Sequence, residues 1–424
     1  MSGATLTQKP AAARVRSVAQ LASEPVIAQI LAWFASERKW ITAKHFEVSR
    51  IAAPTFEEHR RAEWMAAQFK EMGFDTKIDK AGNVTAFVES ANEGPFIAIT
   101  AHLDTVLEPR APEDIRIGRD GEMQGPGVSD NGAGLAALLA IGQAIHQHPV
   151  LLESPFPLVL IANVGEEGEG NLSGMRYLCR PSGVGLKTSA FIVLDGPATD
   201  HITYRALASR RFEIAVHGPG GHSWSDFGIG NPVHALSRAI SMFCDNPAVA
   251  NSGAPRTSFN FGTIEGGTSV NSIPCSARAK VDIRSESPAR IDELGTLLTA
   301  CLELAIETEN DRASSGARLT AKIREIGSRP GGQLSEDAPV LAHLRAIDAH
   351  LGLRANLDCA STDANIPLSL GLQAVSIGAG GTGGGAHTPN EWYRPEGREA
   401  GLRRIFLALC LLMRDIDPQA ALAG

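Results

Sequence analysis

Four short apolar runs constrain this chain most: "FIAITA" (96–101), "PLVLIANV" (157–164), "AFIVL" (190–194) and "AVSIG" (374–378). Each has the length and content of a strand buried on both faces, as in a parallel sheet. Helical stretches such as Leu135–Gln147 lie between them. This alternation predicts an α/β fold, a mostly parallel sheet with helices on both faces. Upstream, residues 26–49 and 56–72 carry apolar spacing compatible with helices, the second opened by Thr55 after Pro54 and closed by Gly73. A chain of 424 residues, 43% of them hydrophobic, is long enough to bury at least one large core.

The middle of the chain follows another pattern. Residues 205–217, 256–265, 276–286 and 317–327 alternate like half-exposed strands, and helical stretches cover 232–244 and 288–307. The order β-α-β-β-α-β is that of the ferredoxin-like split βαβ unit. The expected organisation is therefore a first segment over 1–204, an inserted α+β domain over 205–329, and a second segment over 330–424. The α/β core resumes with the helix from Ala338 to Leu351.

Composition narrows the function. The net charge is −8 and no Lys/Arg cluster stands out, which argues against a nucleic-acid partner and for a small-molecule or short-peptide substrate. The six cysteines are scattered without a C-x-x-C pair, so thiolates are poor candidates for metal ligands and a reducing, cytoplasmic setting is expected. Residues 1–25 lack the apolar core of a signal peptide and read as a loose or docked arm. The longest apolar run, around Leu135–Ile145, falls short of the roughly 18 residues of a membrane span. No membrane partner is expected.

Chemistry gathers at the ends of the predicted core strands. They are followed by "HLD" (His102, Asp104), "GEEGEG" (Glu166, Glu167), "DG" (Asp195) and the loop bearing His387. Asp130 lies in "GPGVSDNGAG", a Gly-rich turn before a helix. In open α/β sheets, sites form outside the carboxyl ends of the strands. Two imidazoles and several carboxylates without thiolates suit zinc, with manganese or cobalt as alternatives. Each residue has a plainer reading when taken alone. A single His is more often a satisfied polar group, Asp130 an N-cap, Asp195 a turn residue, and Glu166 and Glu167 solvated charges. Their joint placement favours a metal centre, because adjacent glutamates gain nothing from mutual repulsion without a cation.

Gly378-Ala379-Gly380-Gly381-Thr382-Gly383 matches the dinucleotide fingerprint G-x-G-x-x-G. That motif works only between a strand and a helix, with an acidic residue about 20 positions on. No helix is expected after Ile377, and Arg403 and Arg404 stand where the acid should be. The glycines are instead expected to let backbone approach a substrate and to carry His387 back to the metals. Glu391, just beyond, is structural or substrate-facing.

Seven motifs in order, "HLDTV", "GPGVSDNGAG", "GEEGEG", "VLDG", "GPGGHS", "GGTSVNSIP" and "HTPNEW", resemble the dizinc metallopeptidases and amidohydrolases that include carboxypeptidase G, aminoacylase, succinyl-diaminopimelate desuccinylase, carnosinase and peptidase T. The resemblance runs from about residue 30 onward. It implies a zinc-exopeptidase-like catalytic domain with an inserted ferredoxin-like lid and dimerisation domain, and hence a homodimer. It implies that Asp130 bridges two divalent ions, one also held by His102 and Asp195, the other by Glu167 and His387. Glu166 would be the general base, and Asp104 would hydrogen-bond the His102 ring to fix its tautomer. From the inserted domain, His222 of "GPGGHS" would help stabilise an oxyanion in the neighbouring subunit. Asn271 and Arg284 would bind substrate, the latter suited to a carboxylate. Without the resemblance, His222 reads as part of a surface turn and Arg284 equally well as a strand-surface cation.

Asp at position 195 tilts the expectation toward aminopeptidases, dipeptidases and tripeptidases, because relatives with Glu there tend to be carboxypeptidases and acylases. An N-acyl amino acid deacylase of the same fold is the alternative. A catalytically inactive, ligand-binding relative is a third reading, opposed by workable residues at every ligand position, at the base and at Asp104. Trp224, Asp226 and Phe227 depart from the smaller residues common after the lid histidine.

Overall fold

The computed structural model describes residues 17–88, 95–148, 157–249, 255–314 and 317–414. Most of the expected N-terminal arm, residues 1–16, lies outside them. A nine-stranded sheet runs in the order Asp75–Ile78, Val84–Val88, Leu158–Asn163, Phe96–His102, Thr188–Leu194, Gln373–Ile377, His201–Ala206, Gly332–Gln333, with Asn356–Ala360 also paired to His201–Ala206. Its four central strands, 158–163, 96–102, 188–194 and 373–377, are mutually parallel. These are the four apolar runs of the sequence. Every residue of 158–163 and of 97–102 is buried, so both faces of the sheet are covered and alternation is absent.

The helix Gly132–Gln147 packs on this sheet and is itself buried almost all round, as its apolar composition requires. Two expected helices change at their ends. The stretch 26–49 is divided at Glu37 into Pro25–Ser36 and Arg38–Ser49. The next helix begins at His59 rather than after Thr55, whose hydroxyl is drawn away to donate to Asp104 Oδ2 at 3.0 Å.

Strands Ala208–His217, Thr257–Gly266, Ser276–Ser285 and Thr320–Arg329 form an antiparallel sheet in the order 257–266, 276–285, 208–217, 320–329. One face buries Phe212, Ile214, Val216, Ala277, Ala279, Val281 and Ile283 beneath helices Pro232–Cys244 and Pro288–Arg312. This apolar cluster is separate from the one around the nine-stranded sheet. Asn365 holds the two connections together, its Nδ2 donating to Leu207 O at 2.9 Å and to Pro330 O at 3.0 Å.

The glycine-rich stretch contains no helix. After Ile377 the chain forms the short strand Thr382–Gly384, paired with Trp392–Arg394. A Cβ on Gly378 would lie 1.9 Å from Ala198 O, so the glycine is required by a neighbouring stretch of this chain's own backbone.

Candidate metal centre

The parallel strands deliver their following residues to one rim. The helix after Asp130 is capped by the next residue, Asn131, whose Oδ1 accepts from Gly134 N at 3.1 Å. Asp130 is thereby left free to project, and the plain N-cap reading does not hold. Asn131 also donates to Leu194 O at 2.8 Å, tying this turn to the strand that precedes Asp195.

Asp130 is the centre of the arrangement. Its Oδ1 lies 3.0 Å from His102 Nε2 and its Oδ2 lies 3.1 Å from His387 Nε2. His387 Nε2 is also 2.9 Å from Glu167 Oε1, and Asp195 Oδ1 is 4.0 Å from His102 Nε2. His102, Asp130 and Glu167 offer ligand atoms within 4.8 Å of one another, a grouping able to hold a metal ion. His387 adopts a left-handed backbone (φ 64°), a conformation non-glycine residues keep where their surroundings fix it.

Asp104 meets the His102 ring through its main chain. His102 Nδ1 donates to the Asp104 main-chain carbonyl at 2.9 Å, while the carboxylate lies 3.6 Å from that nitrogen, beyond a hydrogen bond. The carbonyl fixes the ring, and the two carboxylate oxygens accept the backbone N–H groups of Glu166 and Glu167 at 3.0 and 2.8 Å. Asp104 thus shapes the loop that presents both glutamates.

The electrostatics call for a cation. Burial first, then the neighbouring carboxylates, pushes Glu167 up to about 7 and Asp195 well above the usual range. Burial disfavours a charge on His102, but the carboxylates of Asp104 and Asp130 outweigh it and raise the ring's pKa. For His387, the hydrogen bond to Asp130 comes first and raises it to about 9. Imidazole nitrogens and carboxylate oxygens, with their mutual repulsion unrelieved, fit a zinc-type divalent ion that would replace those protons.

Two participants, Arg329 and Asp363, were missed in the sequence. Arg329 donates from Nη1 to Glu166 Oε1 at 2.9 Å, and both side chains are buried. Asp363, fully buried, accepts from Asn163 Nδ2 at 2.6 Å, and burial followed by Glu166 raises it to about 7. Glu391 accepts from the backbone of Gly127, Ser129 and Asp130 at 2.7–2.8 Å, so it is structural rather than substrate-facing. Nothing local in the sequence marked Arg329 or Asp363.

The inserted-unit residues make their contacts away from the cluster. His222 is exposed on the two-residue strand paired with Ser272–Ile273, and its Nδ1 accepts from Trp224 N and Ser225 N at 3.2 and 3.3 Å. Asn271 Oδ1 accepts from Ser269 Oγ at 2.6 Å, and Arg284 Nε donates to Asp282 Oδ2 at 2.6 Å. Trp224 and Phe227 are 87% and 85% exposed, so the departure seen in the sequence is an apolar surface.

Residues 98–410 match the sequence pattern described as Peptidase family M20/M25/M40. The chain belongs to that family. Among curated relatives it is 28% identical to a "Probable carboxypeptidase" of Neosartorya fischeri over 236 residues, 49% of this chain and 52% of the relative. The match thus spans about half the length of that relative. Among solved structures, a tripeptidase from Staphylococcus aureus superposes with a TM-score of 0.72 at 19% identity, covering 89% of this chain and 98% of the other. An aminopeptidase from Bacillus cereus gives 0.70 at 18%, covering 88% and 98%. At these identities the structural likeness concerns the fold. Among the described residues no helix is long and apolar enough to cross a membrane.

Proposed function

We propose that this member of the M20/M25/M40 family is a metal-dependent exopeptidase acting on short peptides. One observation carries the reading: a single carboxylate, Asp130, turns one oxygen to each of two imidazoles on separate elements, His102 and His387. Asp130 would bridge two divalent ions, zinc or alternatively manganese or cobalt. His102 and Asp195 would complete one set of ligands, Glu167 and His387 the other. Ions held there would supply Lewis acidity toward an amide carbonyl and lower the pKa of a water to near neutrality.

The chain's own groups do the rest. Glu166, adjacent to the ligand Glu167 and unused as a ligand, takes a proton from the attacking water at its carboxylate and returns it to the leaving amine. Asp104 sets its direction through the backbone of residues 166 and 167. His222, exposed and unattached to its own cluster, is the group expected to reach a neighbouring subunit's site in a homodimer and donate to the developing oxyanion. Asn271 and Arg284 would hold substrate, the latter by its carboxylate.

Cleavage of di- and tripeptides is favoured by Asp at position 195 and agrees with the names of the tripeptidase and aminopeptidase of similar fold. The fungal relative's name points to the other chain end. The test is a panel of dipeptides, tripeptides and N-acyl amino acids assayed with zinc, manganese or cobalt. Peptides with a free amino terminus are expected to be cleaved fastest. Turnover of N-acyl amino acids alone would make the protein a deacylase, and turnover of neither class with any of the metals would contradict the proposal.

A further inference from the structure

Arg329 ends the strand Thr320–Arg329, the last of the inserted sheet, yet its guanidinium is buried against the loop that carries Glu166. Nη1 donates to Glu166 Oε1 at 2.9 Å and to Ser361 Oγ at 3.0 Å, and Nη2 donates to the main-chain carbonyl of the same Glu166. One planar fork therefore grips both the carboxylate and the backbone of a single residue. Lysine, a point charge on a flexible stem, does not reproduce that geometry.

The residues on either side of Arg329 are tied down as well. Ser328 N donates to Asn171 Oδ1 at 3.0 Å, Ser328 O accepts from Arg176 Nη2, and Pro330 O accepts from Asn365 Nδ2 at 3.0 Å. Asn171 and Arg176 belong to the segment that follows Glu166 and Glu167. The exit strand of the inserted unit is thus bonded directly to the loop that presents the proposed base. Arg211, on the adjacent strand, adds a hydrogen bond to Gly168 O in the same loop.

We infer that Arg329 is a positioning residue: it aims the Glu166 carboxylate for proton transfer and makes that aim depend on how the exit strand of the inserted unit is seated. The inference rests on the reading of Glu166 as the general base. Arg329 binds neither substrate nor metal in this account. Its loss should slow the chemical step and leave substrate affinity and metal loading in place.

The experiment compares R329A, R329K and E166Q with wild type, each reconstituted with zinc, on whichever of trialanine and N-acetylmethionine the wild type cleaves faster. R329A should lower kcat about 100-fold, the scale expected when a reacting group is misplaced by an ångström, with KM within about threefold and metal content unchanged. R329K should lose at least about tenfold, because it keeps the charge and loses the fork. Millimolar guanidinium should restore part of the R329A rate and none of the R329K rate. In metal-free protein, the backbone amides of 165–170 should exchange faster in R329A while those of 96–102 do not. An inactive E166Q beside an R329A within threefold of the wild-type kcat would overturn the inference alone, as would a loss in both Arg variants that follows loss of bound zinc. E166Q with the wild-type kcat would overturn the base assignment and the inference with it.

Discussion

Glu391 holds Asp130 by its backbone: Oε1 accepts the Asp130 N–H at 2.8 Å and the Ser129 N–H at 2.7 Å, while Oε2 accepts from Gly127 at 2.8 Å. The carboxylate that meets both histidines is therefore oriented by a buried acid 261 residues away. Glu391→Gln keeps the shape but replaces an acceptor oxygen with a donor facing N–H groups. It should weaken metal binding roughly 10- to 100-fold, the usual cost of losing such a supporting contact. Competition against a fluorescent zinc chelator measures this, and unchanged affinity would remove Glu391 from the account.

His45 gives a pH signature away from the ligands. Burial first, then the Arg398 guanidinium, lowers its pKa to about 3. Its ring lies 2.9 Å from Arg398 Nη2 and 2.6 Å from Val128 O, which fits a neutral imidazole. The unfolded chain binds this proton near pH 6.5 and the folded chain resists it until about 3. Its contribution is whole above pH 6.5 and declines as pH falls toward 3, by on the order of 4 kcal/mol in total. Urea midpoints of metal-free wild type and His45→Gln between pH 7 and pH 4 should converge as pH falls. Parallel curves would contradict the assignment.

Asn365 is a structural clasp. Besides its bonds to both connections it accepts from Thr362 N at 2.9 Å, and it is fully buried. Asn365→Ala strands two carbonyls and one N–H, so unfolding free energy should fall by roughly 2–4 kcal/mol. Urea titration of the metal-free protein reads this directly; a loss below about 0.5 kcal/mol would mean that water replaces the clasp.

Gly378 tests the alternative explanation of the glycine-rich stretch. Gly378→Ala forces a Cβ into the Ala198 carbonyl and should destabilise by about 1–3 kcal/mol or more. Thermal shifts with NAD or ATP should be absent in wild type. A shift with either nucleotide would revive the phosphate-binding reading.

The parts of the fold set by local pattern were legible in the sequence. Four apolar runs became the four parallel strands, and the β-α-β-β-α-β order appeared as an antiparallel sheet under two helices, because burial on one or both faces writes itself into residue spacing. The ligand candidates were legible because each follows a core strand or opens a helix. What was not legible depends on contacts between distant segments. Thr55 fits a helix start in sequence, but a hydrogen bond to Asp104 takes it elsewhere. Asp130 looks like a cap because the adjacent Asn131, which takes that role, is equally suited to it. Arg329 looks like an ordinary cation before Pro330, and only the tertiary fold sets it against Glu166, 163 residues away.

Asp130 is proposed to join two ligand sets, and counting bound metal tests this most directly. Purified protein, stripped with chelator, reloaded with zinc and dialysed, should retain about two ions per chain by plasma mass spectrometry, as a two-metal site requires. Asp130→Ala should retain close to none, while His102→Ala and His387→Ala should each lose one more readily than the other. A wild-type protein that binds no zinc, or an Asp130→Ala variant that keeps its full complement, would contradict it.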